Sequence, residues 1–248
     1  MIQIIFIPII KTKPNNEKCR EEMSNLKFIT GHSGSGKTEF CVNYAVRNRK
    51  DNIYNAVTIA DVDIINPYFR SREKKELFDS LSINVIGTSS TFGNIQADMP
   101  MLPRELSGAM GNQKKDELMI FDVGGDGAGA KVLARFTEDI KKREYDMYVV
   151  INANRPQTAN CDDAVSYIID IERQSGLTVN GIINTTHLLR ETSLSDILRG
   201  QALCEEISEK TDLAIIYNVV PYFLEEEIKE VVKKPFLLEE LYMRPIWL

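Results

Sequence analysis

The residues best suited to chemistry lie in a glycine-rich stretch near the start of the chain. Residues 31–38 read GHSGSGKT, the Walker A pattern of a glycine, four residues and then Gly-Lys-Thr. Glycines let the backbone curl so that its N–H groups point at phosphate oxygens, and the start of a helix adds a positive dipole end. Since an apolar run precedes this stretch and a helical pattern follows it, we predict a phosphate-binding loop.

Both side chains and backbone groups of this loop are predicted to bind the nucleotide. Lys37 is predicted to bridge the β- and γ-phosphates of a nucleotide, and the Thr38 hydroxyl is predicted to ligate Mg²⁺. The backbone cradle is predicted at Gly31, Gly34, Ser35 and Gly36.

A second motif supplies the acidic partner that a phosphate-binding loop needs. In LMIFDVGGDGAG (118–129) an apolar strand ends at Asp122, which is expected beside the Mg²⁺ position. Gly124 and Gly125 free a backbone N–H for the γ-phosphate, and Asp126 is placed to continue the signal. This D-x-x-G arrangement is typical of a switch that changes shape when the γ-phosphate leaves.

A third acidic cluster is the D-x-D in TIADVDIINPYFRSRE (58–73). Asp61 and Asp63 follow a strand whose carboxyl end shares an edge with the phosphate-binding loop if the sheet is parallel. Asp61 is predicted near Mg²⁺, and Asp63 is predicted to orient or deprotonate the attacking water. The alternative is a turn in which both carboxylates cap the next helix.

Apolar runs and helical patterns alternate along the chain, which predicts a doubly wound, mostly parallel α/β sheet of about seven strands with helices on both faces. The strand candidates are 26–30, 56–60, 83–87, 118–123, 147–153, 179–184 and 214–220. Helices are expected at 158–174 and 194–210. Residues 23–248 are interpreted as one nucleotide-binding domain. Residues 1–22 are interpreted as an extension that is not native, with an added edge strand as the alternative.

Composition narrows the class of partner and the compartment. The net charge of −6 argues against nucleic acid or anionic lipid as a non-specific partner. The four cysteines include no C-x-x-C pair, which argues against zinc, iron–sulfur and disulfide frameworks and favours the cytoplasm. The apolar start is too short to span a bilayer.

The motifs together resemble the MinD/ParA/Mrp branch of SIMIBI-class P-loop NTPases, which includes the nitrogenase iron protein, and within it an uncharacterised bacterial ATP-binding subgroup. The resemblance spans about residues 26–223 and rests on GHSGSGKT, the D-x-D, DVGGD (122–126), Asn184 and Pro221. It implies Mg²⁺ and ATP, and it implies that Asp63 is a switch carboxylate. The absence of the guanine-reading N-K-x-D motif also favours adenine.

For the base, the resemblance implies that Asn184 hydrogen-bonds adenine and that the turn at Pro221 and Tyr222 packs on it. The alternatives are a strand-end cap for Asn184 and a simple turn for VVPYF (219–223).

The chain departs from this branch at three places. The branch carries a lysine that reaches the partner's phosphates in a dimer, and here that position is His32. Arg70 or Arg72 is the hypothetical replacement in trans, against a solvated basic turn. The metal-binding cysteine pair of some members is missing. The tail (230–248) contains Pro235 and Pro245, which favours a docked or partner-contacting segment over a membrane helix.

Three functions remain open from the sequence. The first is an ATPase with slow basal turnover that acts as a dimeric switch on an unknown protein partner. The second is a metabolic kinase or ligase of the dethiobiotin or cobyrinate synthase type. The third is a sensor that binds nucleotide without hydrolysing it.

Overall fold

The computed structural model describes residues 24–63, 75–87, 108–111, 113–125, 127–228 and 230–243. Its strands are β1 (Leu26–Gly31), β2 (Ala56–Val62), β3 (Ile83–Gly87), β4 (Glu117–Gly124), β5 (Asp146–Ile151), β6 (Gly181–Asn184), β7 (Ala214–Pro221) and β8 (Pro235–Leu238). Its helices are α1 (Lys37–Lys50), α2 (Lys75–Ser80), α3 (Gly127–Ala134), α4 (Thr137–Ile140), α5 (Cys161–Ser175) and α6 (Leu194–Thr211). Short 3₁₀ turns lie at Pro156–Thr158, Leu189–Glu191 and Tyr222–Leu224.

The eight strands form one sheet in the order β3-β2-β4-β1-β5-β6-β7-β8. Every pairing between neighbours is parallel. The predicted doubly wound parallel sheet is therefore confirmed. Because β1 lies between β4 and β5, the loop after β1 opens where the strand order reverses, and ligands of such sheets bind at that point.

The sheet is buried on both faces, which explains why its strands are continuous apolar runs. One face packs against α3, α5 and α6, with Phe28 and Phe121 stacked at 4.5 Å between ring centroids. The other face packs against α1, with Phe40 in contact with Phe236 of β8. The helices after the central strands thus lie on opposite sides and bring their loops to one edge.

The eighth strand was not expected, because Pro235 reads as a helix breaker. Proline lacks an N–H, so it is tolerated as the first residue of an edge strand, where no neighbour needs that donor. Pro235 is the first residue of β8 at the sheet edge, in register with Asn218. Pro235 therefore argues against a helix in this segment but is compatible with an edge strand.

The segment that follows β8 is docked on α1. Both carboxylate oxygens of Glu39 accept backbone N–H groups, from Tyr242 at 2.6 Å and Met243 at 3.0 Å. One turn further along α1, Asn43 accepts from the Glu239 N–H at 2.9 Å. This confirms a docked tail for the described residues. No helix among them is long and apolar enough to cross a bilayer.

Helix α6 begins with a capping box at Ser193. The Ser193 side chain accepts the Asp196 N–H, while the Asp196 carboxylate accepts the Ser193 N–H at 3.0 Å. We expect Ser193→Ala to lower the free energy of unfolding by about 1 kcal/mol, because orphan N–H groups lose an acceptor. Urea unfolding measures this, and Ser208→Ala within the same helix serves as the control that leaves stability unchanged.

Several sequence predictions lie outside the described residues. These are the extension at 1–22, Asp126, Arg70, Arg72 and Pro245.

Candidate functional site

The glycine-rich stretch forms a loop between β1 and α1, as the motif predicts. Gly34 and Gly36 have positive φ angles of 71° and 97°, and Gly36 is the N-cap of α1. A Cβ on Gly31 would lie 2.7 Å from Ser35 Oγ and 2.8 Å from the Val150 side chain. The left-handed backbone and the close approach explain why glycine occupies these positions.

Lys37 and Asp63 form a buried ion pair at this loop. The Lys37 Nζ lies 2.5 Å from Asp63 Oδ2, and both side chains are 6% exposed. Burial by itself would lower the pKa of Lys37, but the carboxylates of Asp122 and Asp63 outweigh it and raise that pKa. The lysine thus stays charged in a buried site, with Asp63 as its counterion.

Thr38 and Asp122 lie together on the neighbouring side of the loop. Thr38 Oγ1 donates to Asp122 Oδ2 at 2.6 Å. Asp61 of β2 is in register with Asp122 of β4, and its Oδ1 accepts the Asp63 N–H at 3.3 Å. The structure therefore brings the predicted acids from two strands to the start of α1.

The Thr38–Asp122 pair suits a hard divalent cation. Asp122 is 1% exposed, and its Oδ1 has no hydrogen-bond partner among the described residues. Burial raises the pKa of Asp122 despite the opposing effects of Lys37 and Thr38, as expected of a carboxylate that lacks full compensation. No group of three or more His, Cys, Asp or Glu forms a protein-only metal cage within the described ranges. Mg²⁺ typically uses few protein oxygens and completes its shell with phosphate and water, so these residues fit it.

The glycines after Asp122 pack directly on the loop. A Cβ on Gly125 would lie 1.9 Å from the Gly31 carbonyl oxygen and 2.6 Å from the His32 nitrogen. A Cβ on Gly124 would lie 3.0 Å from Asp63 Oδ1. The backbone at Gly124 and Gly125, the predicted switch, is therefore in direct contact with the phosphate-binding loop and Asp63.

Tyr167 of α5 joins the same two segments. Its hydroxyl donates to the Gly125 carbonyl at 3.0 Å, and its ring lies against that of His32 with centroids 4.0 Å apart. His32 thus packs inside its own chain. The sequence offered no signal for Tyr167, which looks like an ordinary core position of an amphipathic helix.

A pocket extends from the loop toward the C-terminal segment. Its lining includes the loop, the segments after β6 and β7, and the docked tail: Ser33, Gly34, Gly36, Lys37, Thr38, Glu39, Phe40, Thr185, His187, Leu189, Val219, Pro221, Leu238, Leu241 and Met243. Polar side chains of the loop and of the segment after β6 line it together with apolar side chains of β7, β8 and the tail. Such a mixed lining suits a ligand with a charged part and a flat apolar part.

Pro221 lines this pocket, but Tyr222 does not. Tyr222 is 53% exposed, and its ring meets Phe223 edge to face at 5.5 Å. The structure thus separates the two residues of the predicted base-packing turn.

Asn184 is fully buried, and its side chain is committed within the protein. Its Nδ2 donates to the Ile197 carbonyl at 3.1 Å and to Asn218 Oδ1 at 2.8 Å, while its Oδ1 accepts the Thr186 N–H at 3.0 Å. A base contact through the Asn184 N–H groups would require one of these two bonds to be exchanged. The geometry favours the alternative of a strand-end cap.

The loop after β5 (residues 152–158) also belongs to the site, although none of its residues is among the predicted site residues. Arg155 Nε donates to the Gly34 carbonyl at 2.8 Å, and Asn154 Nδ2 donates to the His187 carbonyl at 3.1 Å. This loop links the glycine-rich loop to the segment after β6. The one available signal was its place at the carboxyl end of a strand next to β1.

No protein-family model matches the chain, and no curated protein does either.

Solved structures do show similarity in fold. Cell division protein FtsY from Thermotoga maritima has a TM-score of 0.50 and 18% identity, covering 81% of this chain and 67% of FtsY. The likeness shows an α/β P-loop NTPase fold. Chloroplast FtsY from Physcomitrella patens has a TM-score of 0.49 and 13% identity, and the match covers 78% of this chain and 57% of that protein. FlhF complexed with GTP and Mg²⁺ has a TM-score of 0.49 and 12% identity, and the match covers 77% of this chain and 64% of FlhF.

The likeness to Thermotoga maritima FtsY, at 18% identity, shows the fold alone. The expected MinD/ParA/Mrp branch therefore stays a prediction. This chain spans between 57% and 67% of their lengths. The expectation of ATP gains nothing from the comparison.

Proposed function

We propose that the protein is a Mg²⁺-dependent ATPase of slow basal turnover that works as a nucleotide-driven switch. The observation that carries the proposal is the meeting of Lys37, Thr38, Asp63 and Asp122 at the glycine loop, with contacts of 2.5 and 2.6 Å. This set provides a cation for phosphate, a hydroxyl and carboxylate for a metal, and a second carboxylate near the phosphate end.

The residues of the chain take separate roles in this proposal. Lys37 leaves Asp63 and binds the β- and γ-phosphates, so phosphate replaces a carboxylate as its counterion. Asp63, once released, accepts a hydrogen bond from the attacking water and orients it. Thr38 and Asp122 would hold Mg²⁺, which supplies charge neutralisation on the phosphates.

The switch follows from the packing of Gly125 on the loop. Its backbone lies against Gly31 and His32, so the γ-phosphate meets it on entry. The Tyr167 hydroxyl donates to the Gly125 carbonyl, so a movement of Gly125 would displace α5, which contains Tyr167. The change in α5 is the output that a protein partner reads in this proposal.

Adenine is proposed as the base because the described part of the pocket lacks an uncommitted carboxylate that could read guanine. Guanine-specific P-loop proteins read the guanine edge with the aspartate of N-K-x-D, and here the corresponding segment Asn184–His187 ends in histidine. The carboxylate of the pocket-lining residue Glu39 already accepts two backbone N–H groups. No described residue of the pocket thus offers guanine an uncommitted carboxylate.

Phosphate release with Mg²⁺ and either ATP or GTP tests this function. We expect ATP to be hydrolysed slowly and to be preferred over GTP by at least about tenfold in kcat/KM, because a missing polar partner is a strong discriminator. Preference for GTP would overturn the base assignment and keep the NTPase. Absence of release with both nucleotides would contradict the ATPase.

Dimerisation on ATP is proposed from the resemblance to the MinD/ParA branch. Sedimentation with and without a slowly hydrolysed ATP analogue measures it, and an unchanged mass would contradict it.

A further inference from the structure

An arginine without a role in the proposed function lies against the phosphate-binding loop. Arg155 is half-buried, and its Nε donates to the Gly34 carbonyl at 2.8 Å. A Cβ on Gly34 would lie 2.7 Å from Arg155 Nη2 and 2.8 Å from its Cζ. The guanidinium plane therefore covers the left-handed turn of the loop at its glycine.

The backbone that carries Arg155 is fixed by hydrogen bonds. The Arg155 N–H donates to Asn152 O at 2.9 Å, and the Arg155 carbonyl accepts the Thr158 N–H at 3.0 Å. The Ala153 N–H donates to Thr186 Oγ1 at 3.0 Å. A long side chain that starts from a braced turn loses less entropy when its head group is held in place.

The contact with Gly34 uses only the Nε donor of the Arg155 guanidinium. Its Nη1 and Nη2 make no hydrogen bond or ion pair with any residue that the structure describes. Lys37, by contrast, is paired with Asp63. Guanidinium is always charged, and its planar fork of N–H donors suits phosphate oxygens.

We propose that Arg155 is a positioning residue of the nucleotide site. It holds the Gly34 turn in the shape that binds phosphate, and it places a permanent positive charge beside the polyphosphate from within the same chain. This inference rests on the proposed nucleotide function.

The test compares three substitutions at one position. Arg155→Lys keeps the charge, Arg155→Gln keeps an N–H donor without charge, and Arg155→Ala removes both. The probes are inorganic tripolyphosphate and ATP, each with Mg²⁺, with binding measured by calorimetry and Tm measured in parallel. Arg199→Ala is the matched control, because Arg199 Nη2 binds Asn154 in the same loop without contacting the glycine loop.

We expect Arg155→Gln and Arg155→Ala to weaken both probes by about tenfold and Arg155→Lys by about threefold at most. Affinities of Arg199→Ala should equal those of the wild type, and Tm should stay within about 2 °C in all variants. An equal loss for both probes locates the effect at the phosphates, since tripolyphosphate has no base.

Two results would overturn the inference alone. These are wild-type affinity in Arg155→Gln, and a loss in Arg155→Lys as large as that in Arg155→Gln, which would remove the role of charge. Failure of the wild-type protein to bind either probe would overturn the proposed function and this inference with it.

Discussion

Replacement of Lys37 by methionine is expected to reduce nucleotide turnover by at least about 100-fold. The ammonium is the one side-chain cation buried at the loop among the described residues, and its pKa is raised by Asp122 and Asp63 despite burial. Methionine fills similar volume without charge, so the phosphates lose a preorganised partner. Phosphate release under saturating ATP and Mg²⁺ measures the loss, and turnover near the wild-type rate would refute the assignment.

The same substitution has a structural cost that must be separated from catalysis. Removal of one member of a buried ion pair costs about 3 kcal/mol, because Asp63 keeps its burial and loses the ammonium. The double variant Lys37→Met with Asp63→Asn should recover at least half of that stability in urea unfolding, while turnover stays absent. Recovery of both would show that Lys37 is only structural.

Gly125→Ala is expected to have the second large effect. The new Cβ would lie 1.9 Å from Gly31 O and 2.1 Å from Gly31 C, so backbone must move away from backbone. Overpacking of this kind costs about 3 kcal/mol, and it displaces the switch from the phosphate-binding loop. We expect turnover to fall by at least about 100-fold, because the N–H that meets the γ-phosphate is displaced.

Gly111→Ala is the matched control for this substitution, because no residue that the structure describes lies within 4 Å of a Cβ at that position. Its stability and turnover should equal those of the wild type. If Gly125→Ala also retained wild-type turnover, Gly125 would have no part in the phosphate response.

Local sequence determined the loop and the elements around it. The glycines at 34 and 36 adopt left-handed backbone that few other residues tolerate, and the following helix starts at Lys37. Seven strands were predictable because each is a short apolar run in a sheet covered on both faces. The eighth was not, because Pro235 is compatible with a strand only at the first residue of a sheet edge, and sequence does not show where the edge is.

Side-chain partners were decided by the tertiary structure. Asn184 seemed free to meet a base, yet its amide bonds Asn218 on the neighbouring strand. Arg155 reaches Gly34 across 121 residues of chain, and Glu39 receives the Tyr242 N–H across 203. Motifs record contacts within one turn or loop, where chain geometry fixes the distances. Contacts between distant segments depend on strand order and helix packing, so the sequence determined the phosphate-binding loop and the fold determined what surrounds it.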